Sequence, residues 1–377
     1  AAGAGGRDGE AGTAGDRSED GAEDESAEGM FLVPFLLFVG FATEAPSEPN
    51  LFAAASIGDH VRHVHGDIRD AAALDRVMAE HQPEIVFHMA AQPLVRLSYD
   101  EPDITFDTNV MGSLRVFEAI RRCDSVRVLI NVTSDKCYEN REWVWGYRES
   151  DAMGGYDPYS ASKGCAELLF GAWYRSYFNP AKHGDTHHVA AASVRAGNVI
   201  GGGDWGRDRL IPDCFRALSK GEPIVIRSPK ATRPWQHVLE PLSGYLEVGA
   251  RLMSEPVRYG GGWNFGPLAG DDWNVEAIVK EVCGQWGDGE YRVDGGQHPH
   301  EAHWLKLDCA KANIELSWLP RWNVRRALKE TTRWYRAYHD GADAARMTAF
   351  TLEQIEAYES TTPGYGRAET TAGEAPP

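Results

Sequence analysis

The chain has 377 residues, of which 42% are hydrophobic and 25% charged, values of a globular protein long enough for one large domain or two unequal ones. A formal net charge of −18 argues against nucleic acid or an anionic membrane as a general partner, though a few local cations suffice to grip a small anionic substrate. Six cysteines (Cys123, Cys137, Cys165, Cys214, Cys283, Cys309) are scattered without a C-x-x-C pair, a pattern that suits free thiols in a reducing cytoplasm better than disulfides or a zinc site.

Residues 1–29 contain no Ile, Leu, Val, Met, Phe, Tyr or Trp and set two Arg against nine acidic residues. Such a segment cannot bury enough apolar surface to offset the entropy of ordering, so disorder is expected. Gly3, Gly6, Gly9, Gly12 and Gly15 have the spacing of a phosphate-cradling loop. That loop follows a buried strand and opens a helix. Neither can be written here, and low complexity explains the glycines better. Met30–Phe41 then turns abruptly apolar. It is too short to span a bilayer, and its acidic flank does not suit a secretory signal. A buried strand over Phe35–Phe41 is expected, followed by a loop over Thr43–Asn50.

From there strands and helices alternate. Strands are expected at Val61–His65, Glu84–Met89, Val126–Val132 and His188–Val194. Asp70 is placed to N-cap a helix carrying Leu74, Val77 and Met78. A second helix is expected over Thr105–Arg122, with Val110, Leu114, Phe117 and Ile120 at helical spacing. This order implies an α/β fold, a Rossmann-like doubly wound parallel sheet, with ligands beyond the carboxyl ends of the strands. Ala90–Gln92, Thr133–Lys136 and Arg195–Asn198 all fall at such ends. After Asn198, short segments at Pro223–Ile226, Trp235–Val238 and Trp263–Pro267 suggest a smaller mixed C-terminal domain. A helical remnant at Phe350–Tyr358 precedes a flexible tail.

Tyr159-Ser160-Ala161-Ser162-Lys163 opens a further helix. Residues four apart share a helix face, so the Tyr159 hydroxyl and the Lys163 ammonium are expected in one site. A phenol is a poor base at neutral pH, with an ordinary pKa of about 10, and a nearby cation lowers it. The pair is thus an acid/base suited to a sugar hydroxyl whose carbon loses a hydride. His298, His300 and His303 resemble a metal motif, but His300-Glu301-Ala302-His303 is one residue short of H-E-x-x-H, and no metal is expected.

These stretches resemble the extended short-chain dehydrogenase/reductase superfamily, and most closely its CDP-glucose 4,6-dehydratase group, from about Val39 to about Tyr358. The resemblance is carried by Gly66–Asp70, His88–Arg96, Thr133–Asn140 with Trp143–Tyr147, Gly154–Tyr159 with Lys163, Arg195–Asp204, and Arg233–Val238. It implies an NAD-binding domain over residues 30–198 and a mainly substrate-binding domain over 199–358, some of whose elements return to the first. The tail is 359–377.

It also implies NAD-dependent dehydration of a nucleotide sugar, CDP-glucose. The sugar is oxidised at C4, water is lost across C5–C6, and hydride returns to C6. Ser134, Asp135, Lys136, Tyr159 and Lys163 take catalytic roles. Tyr159 accepts the 4-hydroxyl proton. Asp135, held protonated, supplies the leaving-group proton, and Ser134 bonds the 4-oxygen. Lys136 stands where dTDP-glucose relatives carry the glutamate base; it either takes the C5 proton or stabilises the enolate. Asp67 and Ile68 are implied beside the adenine. Ala90, Ala91, Gln92 and Thr133, with Tyr159 and Lys163, are implied along the rest of the cofactor. Asn198, Arg209, Arg233 and His237 are implied around the nucleotide diphosphate and sugar, where an Arg fork suits phosphate. A homodimer through the Thr105–Arg122 and Tyr159 helices is implied as well.

The chain departs from the pattern upstream of Val39, where the family's first strand, glycine loop and first helix belong. That departure predicts weak NAD binding and a sheet lacking a central strand. Two other readings stay open: a nucleotide-sugar epimerase, which shares Tyr/Lys and NAD without needing Asp135 and Lys136, and a non-catalytic relative that only binds a nucleotide sugar or a partner.

Overall fold

In the computed structural model, which describes residues 37–296 and 304–365, the apolar runs become short parallel strands. β1 (Val39–Ala42) pairs with β2 (Arg62–His65). β3 (Ile85–His88), β4 (Val128–Val132), β5 (Ala190–Ala196) and β6 (Gly261–Phe265) form a second sheet in the order β6-β5-β4-β3, every pair parallel. All seven residues of β5 are buried, as in a parallel sheet covered on both faces. Among the described residues no strand joins β1 to β3, and Ile85 on β3 is left 37% exposed.

All named elements lie between Val39 and Glu359. β1 begins at Val39 rather than Phe35 and runs through Ala42; Phe35 and Leu36 lie outside the described residues. So do residues 1–29, the three histidines at 298, 300 and 303, and the tail beyond 365. Among the described residues no cluster of three His, Cys, Asp or Glu is able to hold a metal ion, and no helix is long and apolar enough to cross a membrane. All six cysteines are free.

The helices follow the expected periodicity with shifted ends. Asp70 caps α1 (Ala71–His81), its Oδ1 accepting from the Ala73 amide at 3.0 Å. The second expected helix starts earlier than Thr105, at α2 (Pro102–Phe106). It widens into a π turn over Asp107–Gly112 and continues as α3 (Ser113–Arg122). α4 (Pro158–Ser176) carries the Tyr159 motif, and α5 (Leu239–Ser254) lies beyond β5 in the chain. Val116, Phe117 and Ile120 of α3 pack with Phe170 of α4 and Leu129 of β4. Tyr245, Val248 and Leu252 of α5 pack with Trp263 and Phe265 of β6 and with Val128 and Ile130 of β4. Burying such a side chain contributes about 1.5–3 kcal/mol, so these two layers hold the sheet between them.

A third core, with Ile211, Phe215, Trp286, Trp334 and Tyr335, forms from the chain after residue 199. The chain nevertheless returns to the main sheet at β6, beside β5. The helical remnant is longer than Phe350–Tyr358: α6 (Ala344–Glu359) is capped by Asp343, which accepts from the Arg346 amide.

Phe117 is fully buried, its ring meeting His88 and Phe170 edge-on. Phe117→Ala is expected to lower the unfolding free energy by about 3–5 kcal/mol through the cavity it leaves. The denaturant midpoint, read at unchanged slope, checks this.

Candidate active site

Two local structures meet at the carboxyl end of the sheet. The first is the turn after β4. Ser134 caps a single 3-10 turn, Asp135–Cys137, accepting from the Lys136 amide at 3.2 Å and donating to Asp135 Oδ1 at 3.0 Å. The second is the start of α4. Asp157 accepts from the Ser160 amide at 2.9 Å and from the Ser160 hydroxyl at 2.6 Å, and Pro158 sits in the first turn, where its missing N–H costs nothing.

These two pieces touch through backbone. The Gly154 amide donates to the Cys137 carbonyl at 2.9 Å. A Cβ at Gly164 would lie 2.4 Å from the Gly154 carbonyl oxygen, so only glycine permits the helix to sit this close. Gly155 has φ +150°, and a Cβ there would stand 2.2 Å from the Ala161 amide.

A cavity of about 640 Å³ opens over the junction. Ser134, Asp135, Lys136 and Tyr159 line it together, and so do Asn198, Arg209 and Arg233 from the chain beyond β5. Asp135 is 2% exposed, and its Oδ2 has no hydrogen-bond partner. Burial raises its pKa, against the opposing pull of Lys136, which favours the protonated acid. Arg209 is also held by Asp204 at 3.0 Å.

The phenol behaves otherwise than the Tyr/Lys spacing suggests. Burial pushes Tyr159 up to about 12, opposed mainly by the Ser134 hydroxyl, and Lys163 is not among the charges that act on it. Lys163 is itself buried and lowered to about 8 by desolvation, with Cys137 and Glu167 pulling the other way. The phenol is therefore raised rather than lowered, because loss of water outweighs the charges around it. The positive charge that does act on the phenol comes from Arg209.

Of the residues expected along a dinucleotide, Tyr159 lines this cavity, and Asp67, Ile68, Ala90, Ala91, Gln92, Thr133 and Lys163 do not. Asp67 is gripped by the Arg69 fork at 2.7 and 3.0 Å, which lowers its pKa. The Ile68 side chain packs into the core beside Leu74 and Phe117, not toward open space. Ala90, Ala91 and Gln92 follow β3. The Gln92 amide donates to Asn109 Oδ1 at 2.8 Å, and Asn109 Nδ2 donates to Ser162 Oγ at 2.8 Å. Asn109 sits in the π turn and so ties this loop to α4. Thr133 points its hydroxyl to Glu167 rather than outward.

The nicotinamide–ribose half of a dinucleotide nonetheless fits. The Lys163 amine is a buried donor with no hydrogen bond or ion pair to any described residue, on the helix that carries Tyr159. His237 is not on the cavity wall. It lies in a short strand, 2% exposed, its ring 4.9 Å from Trp322 and its Nδ1 accepting from the Leu239 amide, and burial lowers it to about 3. A neutral, packed imidazole has no reach to a diphosphate.

Several cavity residues were not singled out by sequence reasoning. Arg96, Arg207 and Arg227 add cations to the wall, and Tyr138 borders it beside Lys136. Arg96 and Tyr138 fall within the stretches that carry the family resemblance, which was the signal; Arg207 and Arg227 had none. Behind the wall, the Glu167 carboxylate takes bonds from Arg195 Nε at 2.7 Å, Arg195 Nη2 at 2.8 Å, Ser193 Oγ at 2.9 Å and Thr133 Oγ1.

Comparison with known proteins agrees with this architecture. The chain is 52% identical over 324 residues to the CDP-glucose 4,6-dehydratase of Salmonella typhimurium, covering 86% of this chain and 89% of the relative. It is 31% identical to dTDP-glucose 4,6-dehydratase 1 of Escherichia coli, covering 80% and 86%. Its fold matches the crystal structure of the dTDP-glucose 4,6-dehydratase of Streptomyces venezuelae, solved with NAD and TYD bound, at a TM-score of 0.64 and 23% identity over 74% of this chain and 81% of that one. The model of the GDP-mannose 4,6 dehydratase family matches residues 47–331. With that match over most of its length, and with the Tyr159, Lys163 and Ser134–Lys136 groups placed at the carboxyl end of a parallel sheet, the chain belongs to the GDP-mannose 4,6 dehydratase family.

Proposed function

We propose that this protein removes water from CDP-glucose to give CDP-4-keto-6-deoxyglucose, with NAD as its resident cofactor. The observation that carries the reading is the meeting of Tyr159, Ser134, Asp135 and Lys136 on one cavity wall. An epimerase needs the first two; the protonated acid and the amine beside them suit loss of water. The 52% identical relative supports the cytidine diphosphate sugar as substrate.

When bound, NAD supplies an acceptor for hydride from sugar C4 and a donor of hydride to C6, so no external oxidant is consumed. Tyr159 takes the 4-hydroxyl proton, and Arg209 favours the phenolate form that does so. Ser134, whose hydroxyl donates to Asp135 without substrate, would turn it to the 4-oxygen as charge develops there. Lys136 takes the C5 proton that the new ketone acidifies, and a proton is later returned to C5. Asp135, whose burial favours its acid form, gives its proton to the departing 6-hydroxyl, which leaves as water. The proton gained by Tyr159 balances the one lost by Asp135. Lys163 would hold the cofactor ribose, with its amine otherwise unengaged among the described residues. Asn198, Arg209 and Arg233, with Arg96 and Arg227, would hold the nucleotide diphosphate.

We further propose a homodimer, supported by exposed apolar side chains at Ile104, Met111 and Leu168 on the helices expected to form it, and action in a reducing cytoplasm, supported by the six free thiols.

Turnover of CDP-glucose in deuterium oxide is expected to give the 4-keto-6-deoxy product with solvent deuterium at C5 and none at C6. A C4 epimer as the product, or no product, overturns the proposal. Lys136→Ala is expected to lower kcat about 100-fold or more and to abolish deuterium entry at C5. Undiminished exchange removes Lys136 from the role of base.

Lys163 adds a pH dependence in the cofactor-free protein. Its folded-state value, about 8, lies below the ordinary 10.5, so the unfolded chain binds more protons between the two. Stability should therefore rise with pH across that window. Lys163→Met is expected to remove that rise, as read by denaturant midpoints measured from pH 8 upward.

A further inference from the structure

The proposed chemistry needs two pairs of groups in register. Tyr159 and Lys163 ride on α4, whereas Asp135 and Lys136 ride on the turn after β4. Glu167 stands one helical turn beyond Lys163 on the same face of α4. Its carboxylate is forked to Arg195 of β5, the two side chains being 2% and 5% exposed. Arg195 then reaches past the carboxylate, and its Nη1 donates to Tyr138 Oη at 2.6 Å. The Tyr138 hydroxyl donates in turn to Asn264 Oδ1 on β6 at 2.7 Å. Tyr138 is the residue that follows the Asp135–Cys137 turn, and its ring stacks on Tyr147 at 5.3 Å. Its hydroxyl is thus engaged on both sides and is not a free acid or base, although the ring borders the cavity.

We propose that Tyr138 and Arg195 are positioning residues that, through Glu167, hold the turn bearing Asp135 and Lys136 in register with the helix bearing Tyr159 and Lys163. The physical case is connectivity. The backbone contact at Gly154 and Gly164 joins helix and turn at one place, and the Thr133 hydroxyl joins the end of β4 to Glu167 at another. The Glu167–Arg195–Tyr138–Asn264 chain ties the far end of the turn to the same carboxylate and to two strands of the sheet. An arginine is required, because one planar group must serve the carboxylate fork and the phenol together. The catalytic consequence rests on the dehydratase reading, whereas the mechanical claim does not.

The test is Tyr138→Phe, which keeps the ring and deletes only the bridging oxygen. In substrate-free protein, amide hydrogen exchange in the peptide spanning residues 134–140 should quicken about 10-fold, while peptides of β5 and α5 stay as in the wild type. With CDP-glucose, kcat should fall about 10-fold or more and KM should stay within about twofold, the signature of misplaced groups rather than lost binding. Arg195→Lys should give the same exchange pattern, because the ammonium cannot span both partners. Unchanged exchange at 134–140, equal acceleration throughout the sheet, or a raised KM at unchanged kcat overturns the proposal. A wild-type protein that fails to turn over CDP-glucose, with the turn still loosened in Tyr138→Phe, overturns the dehydratase reading and leaves this one standing.

Discussion

A helix and a turn packed backbone to backbone are the constraint on which this molecule depends. Gly164 presents no side chain to the Gly154 carbonyl, and the Gly154 amide in turn bonds Cys137. That contact decides how far the Tyr159 phenol lies from the Asp135 carboxyl. The sheet sets its direction: β4 delivers the turn, β5 delivers Arg195, and both end on the same side because the strands run parallel. The apolar layers on the two faces of the sheet keep those ends in place.

Burial then sets the chemistry of each group. Removing water raises Asp135 and Tyr159 and lowers Lys163. Glu167 is equally buried but lowered, because Arg195, Thr133 and Ser193 all donate to it. Burial thus shifts the carboxyl, phenol and amine of one site each toward its neutral form, and only at Glu167 do the partners reverse the sign. Such a buried pair is a poor source of net stability, yet removing one partner strands a charge at a cost of about 3–5 kcal/mol. The Glu167–Arg195 pair therefore specifies geometry more than it stabilises the fold. The chain is acidic, at −18 overall, yet Arg96, Arg207, Arg209, Arg227 and Arg233 meet on one cavity wall.

Much of this was legible in the amino-acid order. The apolar runs at residues 128–132 and 190–194 and the helical spacing of Phe117 and Ile120 are patterns of period and burial, and they required a parallel sheet with covered faces. The Asp70 cap is local chemistry. The gathering of Tyr159 with Ser134, Asp135 and Lys136 was anticipated, because all lie at strand ends or just beyond them. The strand over Phe35–Phe41 was placed too early: an apolar run marks where a strand is possible, while its ends follow from which neighbour pairs with it, here β2.

What only the tertiary structure decided were the partners. Nothing local distinguishes His237, packed neutral against Trp322, from a histidine facing a ligand, or tells that Thr133 turns inward to Glu167 while Ser134 faces the cavity. The sign of the Tyr159 shift was misjudged for the same reason: helical spacing reports that Lys163 shares a face, but not that burial outweighs its charge. The sequence by itself determined fold class, strand order in time and the residue types of the site, because those depend on neighbours along the chain. Burial, hydrogen-bond partners and the Glu167–Arg195–Tyr138 link depend on residues far apart in sequence, and only packing brings those together.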